Sequence, residues 1–211
     1  VSLPVLLNVT GKRCLIVGGG AVGVRKAHSL LSHGAKVVIL SPSLKAPVPD
    51  AQHIAERYSR QRLLELKPWL VVAATNREDV NRAICEDAHA AGILVESMDN
   101  PRLGDVRGMV SETRESVTIA VAAGSPRFSR HLAEQFADQL TPELLTLLDW
   151  LRLLRPHLKD HVAEQPARAA LWERVFASSS AILVPLQQGE VAAAKGILAE
   201  ILGNWIHPYL P

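Results

Sequence analysis

The sequence predicts an α/β protein: a doubly wound parallel sheet, followed by a small β-hairpin and a helical carboxyl-terminal region. Three observations lead there. Over the first hundred residues, short continuous apolar runs alternate with apolar residues at helical spacing. Strand–helix–strand order of this kind gives right-handed crossovers and a parallel sheet. Beyond Asn100 two strand patterns follow one another with no helix between them, and from Ser125 onward every apolar pattern is helical.

Cys14-Leu15-Ile16-Val17 is an unbroken apolar run ending in glycines, as expected of a strand buried on both faces. Residues 21–33 form a helix with Val24, Ala27, Leu30 and Leu31 on one face and Gly34 as its stop. Residues 36–40 (KVVIL) make a second strand and residues 70–73 (LVVA) a third. Asn76 is placed to cap the next helix, which carries Val80, Ala83, Ile84, Ala88 and Ala91 and stops at Gly92. Ile93-Leu94-Val95 is the fourth strand. Residues 107–111 and 117–122 read as a hairpin joined by the polar turn Glu112-Thr113-Arg114-Glu115. Ser125-Pro126 and Thr141-Pro142 each combine an N-cap residue with proline at the first helical position. Phe128, Leu132, Phe136 and Leu140 share a stripe on the first of these helices, and Pro156, Pro166, Pro185 and Gly189 divide the remainder.

Apolar residues make up 48% of the 211 and charged residues 21%, enough for a real core. A net charge of +2 with no basic stripe argues against a nucleic-acid partner. The apolar stretch of residues 1–9 has neither a basic flank nor a small-residue cleavage site, and no apolar run is long enough to cross a membrane. Cys14 and Cys85 lie inside apolar patterns without C-x-x-C spacing, so buried free thiols and a cytoplasmic location are expected.

Gly18-Gly19-Gly20-Ala21-Val22-Gly23 holds the spacing G-x-G-x-x-G between a strand and a helix. Gly18 turns the chain off the strand, Gly20 lets backbone approach a pyrophosphate, and Gly23 lets helix and strand pack closely. The helix start, at Ala21 and Val22, offers free N–H groups and a positive dipole end. In this βαβ context the motif points to a Rossmann-type dinucleotide site. Thr75 and Asn76, after the third strand, join the candidate cofactor contacts. The acid that usually follows the second strand and holds the adenosine ribose is missing; Ile39-Leu40-Ser41-Pro42 stands there, leaving Ser41 as the polar candidate. The loop alone does not decide between NAD and NADP.

Pro4-Val5-Leu6-Leu7-Asn8-Val9, then Gly11-Lys12 and LIVGGGAVGVRKA with its Arg25-Lys26 pair, resembles the start of the precorrin-2 dehydrogenase family, which includes the dehydrogenase/ferrochelatase part of sirohaem synthase. VVAATNREDVNRAICEDAHAAGILV, Met98-Asp99-Asn100-Pro101 and Gly124-Ser125-Pro126 extend the resemblance to about Leu140. Leu103-Gly104-Asp105-Val106-Arg107-Gly108-Met109 and Ala122-Ala123-Gly124 depart from its usual pattern. The resemblance implies NAD as cofactor, precorrin-2 as substrate, an intertwined homodimer built through the hairpin and following helices, and a site between domains. The expected division is a cofactor domain over residues 1–105, a dimerisation hairpin and helix over 106–141, and a helical domain over 142–211.

Asp99 follows the fourth strand at the carboxyl edge, where open α/β sheets bind ligands. Its position alone suits a cap for the turn before Pro101; the resemblance makes it the candidate catalytic carboxylate. Precorrin-2 carries eight carboxylates, which Arg102, Arg107, Arg127 and Arg130 are suited to bind bidentately, although each also suits a solvated face. Ser125 is a substrate candidate by resemblance and an N-cap by position, and His131 is a further candidate. His157 and His161 have i, i+4 spacing, but no glutamate lies between them and Pro156 disturbs the helix, so a surface pair is expected and no metal site is assigned. The reading is NAD-dependent oxidation of precorrin-2 to sirohydrochlorin. The alternatives are an enzyme that also inserts ferrous iron and, in another class, a nucleotide-sensing regulatory module.

Overall fold

A computed structural model describes residues 3–211; Val1 and Ser2, which begin the apolar amino-terminal stretch and the expected first domain, lie outside the described residues. The chain forms two compact units, one ending at Gly108 and the other spanning Met109–Pro211.

The first unit contains β1 (Arg13–Val17), α1 (Ala21–Ser32), β2 (Lys36–Leu40), β3 (Gln52–Ile54), α2 (Arg60–Leu66), β4 (Leu70–Ala73), α3 (Glu78–Ala90) and β5 (Leu94–Ser97). The strands are all parallel, in the order β3-β2-β1-β4-β5. This is the expected doubly wound sheet, and its order reverses beside β1. There the carboxyl ends of β1 and β4 open a crevice. β3 and α2 were not expected from the sequence, and β5 runs two residues past the expected Val95, through Glu96 and Ser97.

Both faces of the sheet are buried, which explains its unbroken apolar runs. Cys14, Ile16, Val37, Ile39 and Val72 pack with Val24 and Ala27 of α1. Leu15, Val38, Leu40 and Val71 pack with Leu63 of α2 and Ile84, Cys85 and Ala88 of α3. Each fully buried leucine or isoleucine contributes roughly 1.5–3 kcal/mol. Both cysteines are free and buried, and burial pushes the Cys14 thiol up to about 11.

Glu96 interrupts this apolar pattern. Its carboxylate accepts bonds from Lys26 Nζ of α1 at 2.7 and 2.8 Å and from the Gly108 N–H at 2.9 Å. Just before Gly108 the chain runs back along β5. Asp105 and Val106 donate to the Val95 carbonyl at 2.8 and 3.2 Å, and the Asp105 carboxylate accepts from the Val95 N–H at 3.1 Å.

In the second unit β6 (Val110–Arg114) and β7 (Val117–Val121) form an antiparallel hairpin. The expected turn over residues 112–115 is corrected: Glu112, Thr113 and Arg114 belong to β6, and the turn is Glu115-Ser116, with Glu115 at φ 51°. Polarity misled because one face of a two-stranded sheet tolerates polar side chains; Thr113 and Thr118 pair there at 3.1 Å. Arg107 accordingly precedes the hairpin.

α4 (Pro126–Ala137) packs on the hairpin through Ser129, Ala133 and Ala137, its buried residues. Phe128 and Phe136, from the expected apolar stripe, stay 54% and 46% exposed. Then follow α5 (Pro142–Leu154), α6 (Leu158–His161), α7 (Gln165–Ala177), α8 (Ser179–Gln187) and α9 (Val191–Leu202). Their separate core includes Leu147, Trp150, Leu154, Ile182, Leu198 and Ile206. Pro185 lies inside α8 instead of dividing helices; the break falls at Ser178. No helix among the described residues is long and apolar enough to cross a membrane.

Candidate cofactor and catalytic site

The glycine loop leaves β1 at Gly18, whose φ of +117° suits glycine and whose N–H bonds to the Leu40 carbonyl at 3.1 Å. A side chain on Gly18 would strike the Ala74 carbonyl, and one on Gly23 would strike the Gly18 carbonyl. Gly19 is equally confined, by the Ser43 carbonyl; its spacing outside the motif gave no sign of this. Gly20 differs. A Cβ there would meet nothing within 4 Å. The residues that must be small for packing therefore surround one that is open, at the N-cap of α1.

Val24 donates to Gly20 O at 2.9 Å as the first helical bond of α1, so the N–H groups of Ala21, Val22 and Gly23 belong to the unpaired first turn. Unpaired donors, the helix dipole and the open space at Gly20 fit a pyrophosphate. Ser41 is buried, and its hydroxyl donates to the Ser43 carbonyl at 2.9 Å. It shapes the wall of the loop and retains only acceptor capacity for a ribose.

After β4, Thr75 is held by a residue the sequence reading missed. Asn81, 1% exposed on α3, accepts from the Thr75 N–H at 3.1 Å and the Thr75 hydroxyl at 2.7 Å through Oδ1. Its Nδ2 donates to Thr75 O at 3.1 Å and to Asp99 Oδ2 at 2.8 Å. All four of its bonding positions are used. Asn76 is exposed in the turn and does not cap α3. The N-cap is Arg77, and the Thr75 hydroxyl accepts from its N–H at 3.2 Å.

Asp99 stands past the end of β5. Its Oδ1 accepts from Ser97 Oγ and from the Asn100 N–H, both at 2.8 Å. Partial burial pushes its carboxyl up, but the bonds from Asn81, Ser97 and the backbone outweigh this and hold it below the usual value. The carboxylate is thus fixed and ionised. A continuous path crosses the carboxyl edge of the sheet: Gly18 abuts Ala74 and Thr75, Thr75 is bound by Asn81, and Asn81 holds Asp99.

The remaining candidates divide between the units. Arg102, in a short turn capped by Asn100, and Arg107 are exposed in the first. In the second, Arg127, Arg130 and His131 are brought together along one face of α4. With Val110, Pro126 and Glu134 they line a depression of about 250 Å³. Ser125 occupies the N-cap position of α4, but its side chain makes no capping bond; the neighbouring Ser129 hydroxyl instead accepts from the Ala123 N–H at 2.9 Å. His157 and His161 stack on separate aromatic rings, Tyr209 at 3.8 Å and Trp205 at 4.4 Å between centroids.

Residues 5–108 match a family model described as "Putative NAD(P)-binding". The chain is 31% identical over 211 residues to siroheme synthase of Nitrosomonas europaea, covering 96% of this chain and 44% of that protein. With siroheme synthase of Nitrosococcus oceani it shares 32% over 212 residues, covering 98% and 45%. The chain therefore spans less than half the length of these relatives. Among solved structures it is similar to "SirC, precorrin-2 dehydrogenase", with a TM-score of 0.61 at 17% identity, covering 95% of this chain and 98% of that one.

Proposed function

This chain belongs to the family that joins precorrin-2 dehydrogenase to the matching part of the sirohaem synthases, and on that premise we propose that it oxidises precorrin-2 to sirohydrochlorin with NAD. The observation that carries the proposal is the path from the open Gly20 to the fixed carboxylate of Asp99 along one sheet edge. NAD, when bound, supplies the acceptor for a hydride. Precorrin-2 loses that hydride and one proton, so the products are sirohydrochlorin, NADH and H⁺.

The chain's own residues have three tasks. Gly20 and the first turn of α1 receive the pyrophosphate. Thr75, pinned by Asn81, shapes the crevice at the end of β4. Asp99 stays ionised, so it stabilises the positive charge that hydride departure leaves on the macrocycle and receives the proton that follows. Its lowered proton affinity suits the first role well and lets it return the proton to water readily.

Within the second unit, Arg127, Arg130 and His131 offer cations and donors of the kind that bind carboxylates. We further propose a homodimer. A hairpin and one helix form a thin layer with exposed Phe128 and Phe136, and a second copy is the natural cover. Free buried thiols support a cytoplasmic setting. The test is anaerobic conversion of precorrin-2 at saturating NAD, followed by absorbance. Nucleotide binding without conversion would favour a sensor over an enzyme.

A further inference from the structure

We propose that this chain also binds NADP, with Lys45 as the cation that receives the 2′-phosphate. The inference rests on the dinucleotide reading above and deepens it. Discrimination for NAD normally comes from a carboxylate after the second strand, which bonds the ribose hydroxyls and repels a phosphate. Here β2 ends at Leu40, and the next residue is Ser41, whose polar groups are already employed. Its N–H donates to Ile54 O at 3.1 Å, its carbonyl accepts from His53 Nε2 at 2.8 Å, and its hydroxyl donates to Ser43 O. No carboxylate occupies the position that would exclude a 2′-phosphate.

What stands there instead is a short turn carrying a cation. Residues 41–45 fold over the glycine loop. The Lys45 N–H donates to Gly19 O at 2.8 Å, and Leu44 and the Ser43 carbonyl press against Gly19. Lys45 is therefore anchored beside the cofactor loop by its backbone. Its side chain is exposed and makes no ion pair among the described residues. The Ser43 hydroxyl lies in the same turn.

Two carboxylates lie near in sequence, and neither opposes this. Asp50 precedes the amino end of β3, whereas the ribose side of the site is the carboxyl edge. Glu56 is beyond the carboxyl end of β3, but Arg62 holds both its oxygens, at 2.6 and 3.0 Å. His53 keeps Nε2 on Ser41 O and adds no negative charge. The balance at this edge is positive, so a dianionic 2′-phosphate is attracted where most NAD sites repel it.

Calorimetric titration of the intact chain with NAD and with NADP tests this without any turnover. The expected result is an NADP dissociation constant within about tenfold of that for NAD. In Lys45→Glu the affinity for NADP relative to NAD falls by about tenfold or more, as reversal of one charge facing a phosphate requires. NAD binding with NADP more than about 100-fold weaker would overturn the inference and leave the dinucleotide reading intact. An unchanged NADP-to-NAD ratio in Lys45→Glu would remove Lys45 from the site. Binding of neither dinucleotide would bring down the underlying reading, and this inference with it.

Discussion

Asn81 on α3 donates to Asp99 beyond β5 at 2.8 Å, and this single bond ties the carboxylate beside Ser97 to a buried residue in the first turn of a helix. The bond favours the ionised carboxylate. Replacing Asn81 with leucine removes it, together with three bonds to Thr75, and costs about 2–4 kcal/mol of stability. It also releases Asp99 toward its ordinary value. In the wild-type protein the Asp99 carboxyl, followed by carbon NMR, should titrate below 3.8, and in Asn81→Leu distinctly higher. A carboxyl whose value is lowered by folding contributes stability that is full above 3.8 and lost as pH falls through the lower folded value. A wild-type midpoint above 3.8 contradicts the network's role.

Asp99→Asn preserves size and much of the hydrogen bonding while removing the charge and the proton acceptor. Turnover of precorrin-2 should fall by about 10²-fold or more with NAD affinity retained. A change confined to KM would make Asp99 a substrate contact only, and wild-type turnover would end its catalytic assignment.

Two glycines of the same loop should fail differently. Gly20→Val fills open space, so the variant folds and loses dinucleotide binding. Gly23→Val drives a side chain into the Gly18 carbonyl and should yield little folded protein. Circular dichroism with calorimetry separates the two outcomes. Undiminished NAD affinity in a folded Gly20→Val variant would remove the loop from the site.

The Lys26–Glu96 pair is largely removed from solvent, with side chains 22% and 9% exposed. Lys26→Met leaves Glu96 buried with only the Gly108 N–H as partner, and should cost about 2–4 kcal/mol in urea unfolding. Lys26→Met combined with Glu96→Leu should lose less than the single change, because no unpaired charge remains. Equal losses would show that packing, not the ion pair, matters at this site.

The wild-type chain should have a dimer mass by light scattering at micromolar concentration, and Phe128→Glu with Phe136→Glu should shift it to monomer. Both rings are already exposed, so folding of the single chain should persist. A monomeric wild type contradicts the proposed pairing.

The parts of the fold legible in the sequence were those with strong local codes. β1, β2 and β4 are unbroken apolar runs, and α1 and α3 end at Gly34 and Gly92 with φ of +78° and +66°. β3 escaped notice because it is three residues long, Gln-His-Ile, and lies at the sheet edge. α2 buries only Leu63 and carries no usable stripe. The same contrast holds at the site. The glycine spacing announced itself because backbone geometry demands a residue type, whereas Asn81 acts through tertiary bonds. An asparagine within a helix reads as a surface residue until the strand beside it is in place. Glu96 hid for a related reason, since its partner Lys26 is 70 residues away.

The return of residues 105–108 along β5 has a consequence for the protein in a crowded solution. An open parallel sheet has two rims of unpaired backbone, each a template on which another chain can add a strand. On one rim, Val95 already spends its N–H and carbonyl on Asp105 and Val106. On the other, β3 offers only three residues, too few to hold an incoming strand in register. Strand addition to this parallel sheet is therefore disfavoured at both rims, whereas the outer edges of β6 and β7 in the separate two-stranded sheet keep that option.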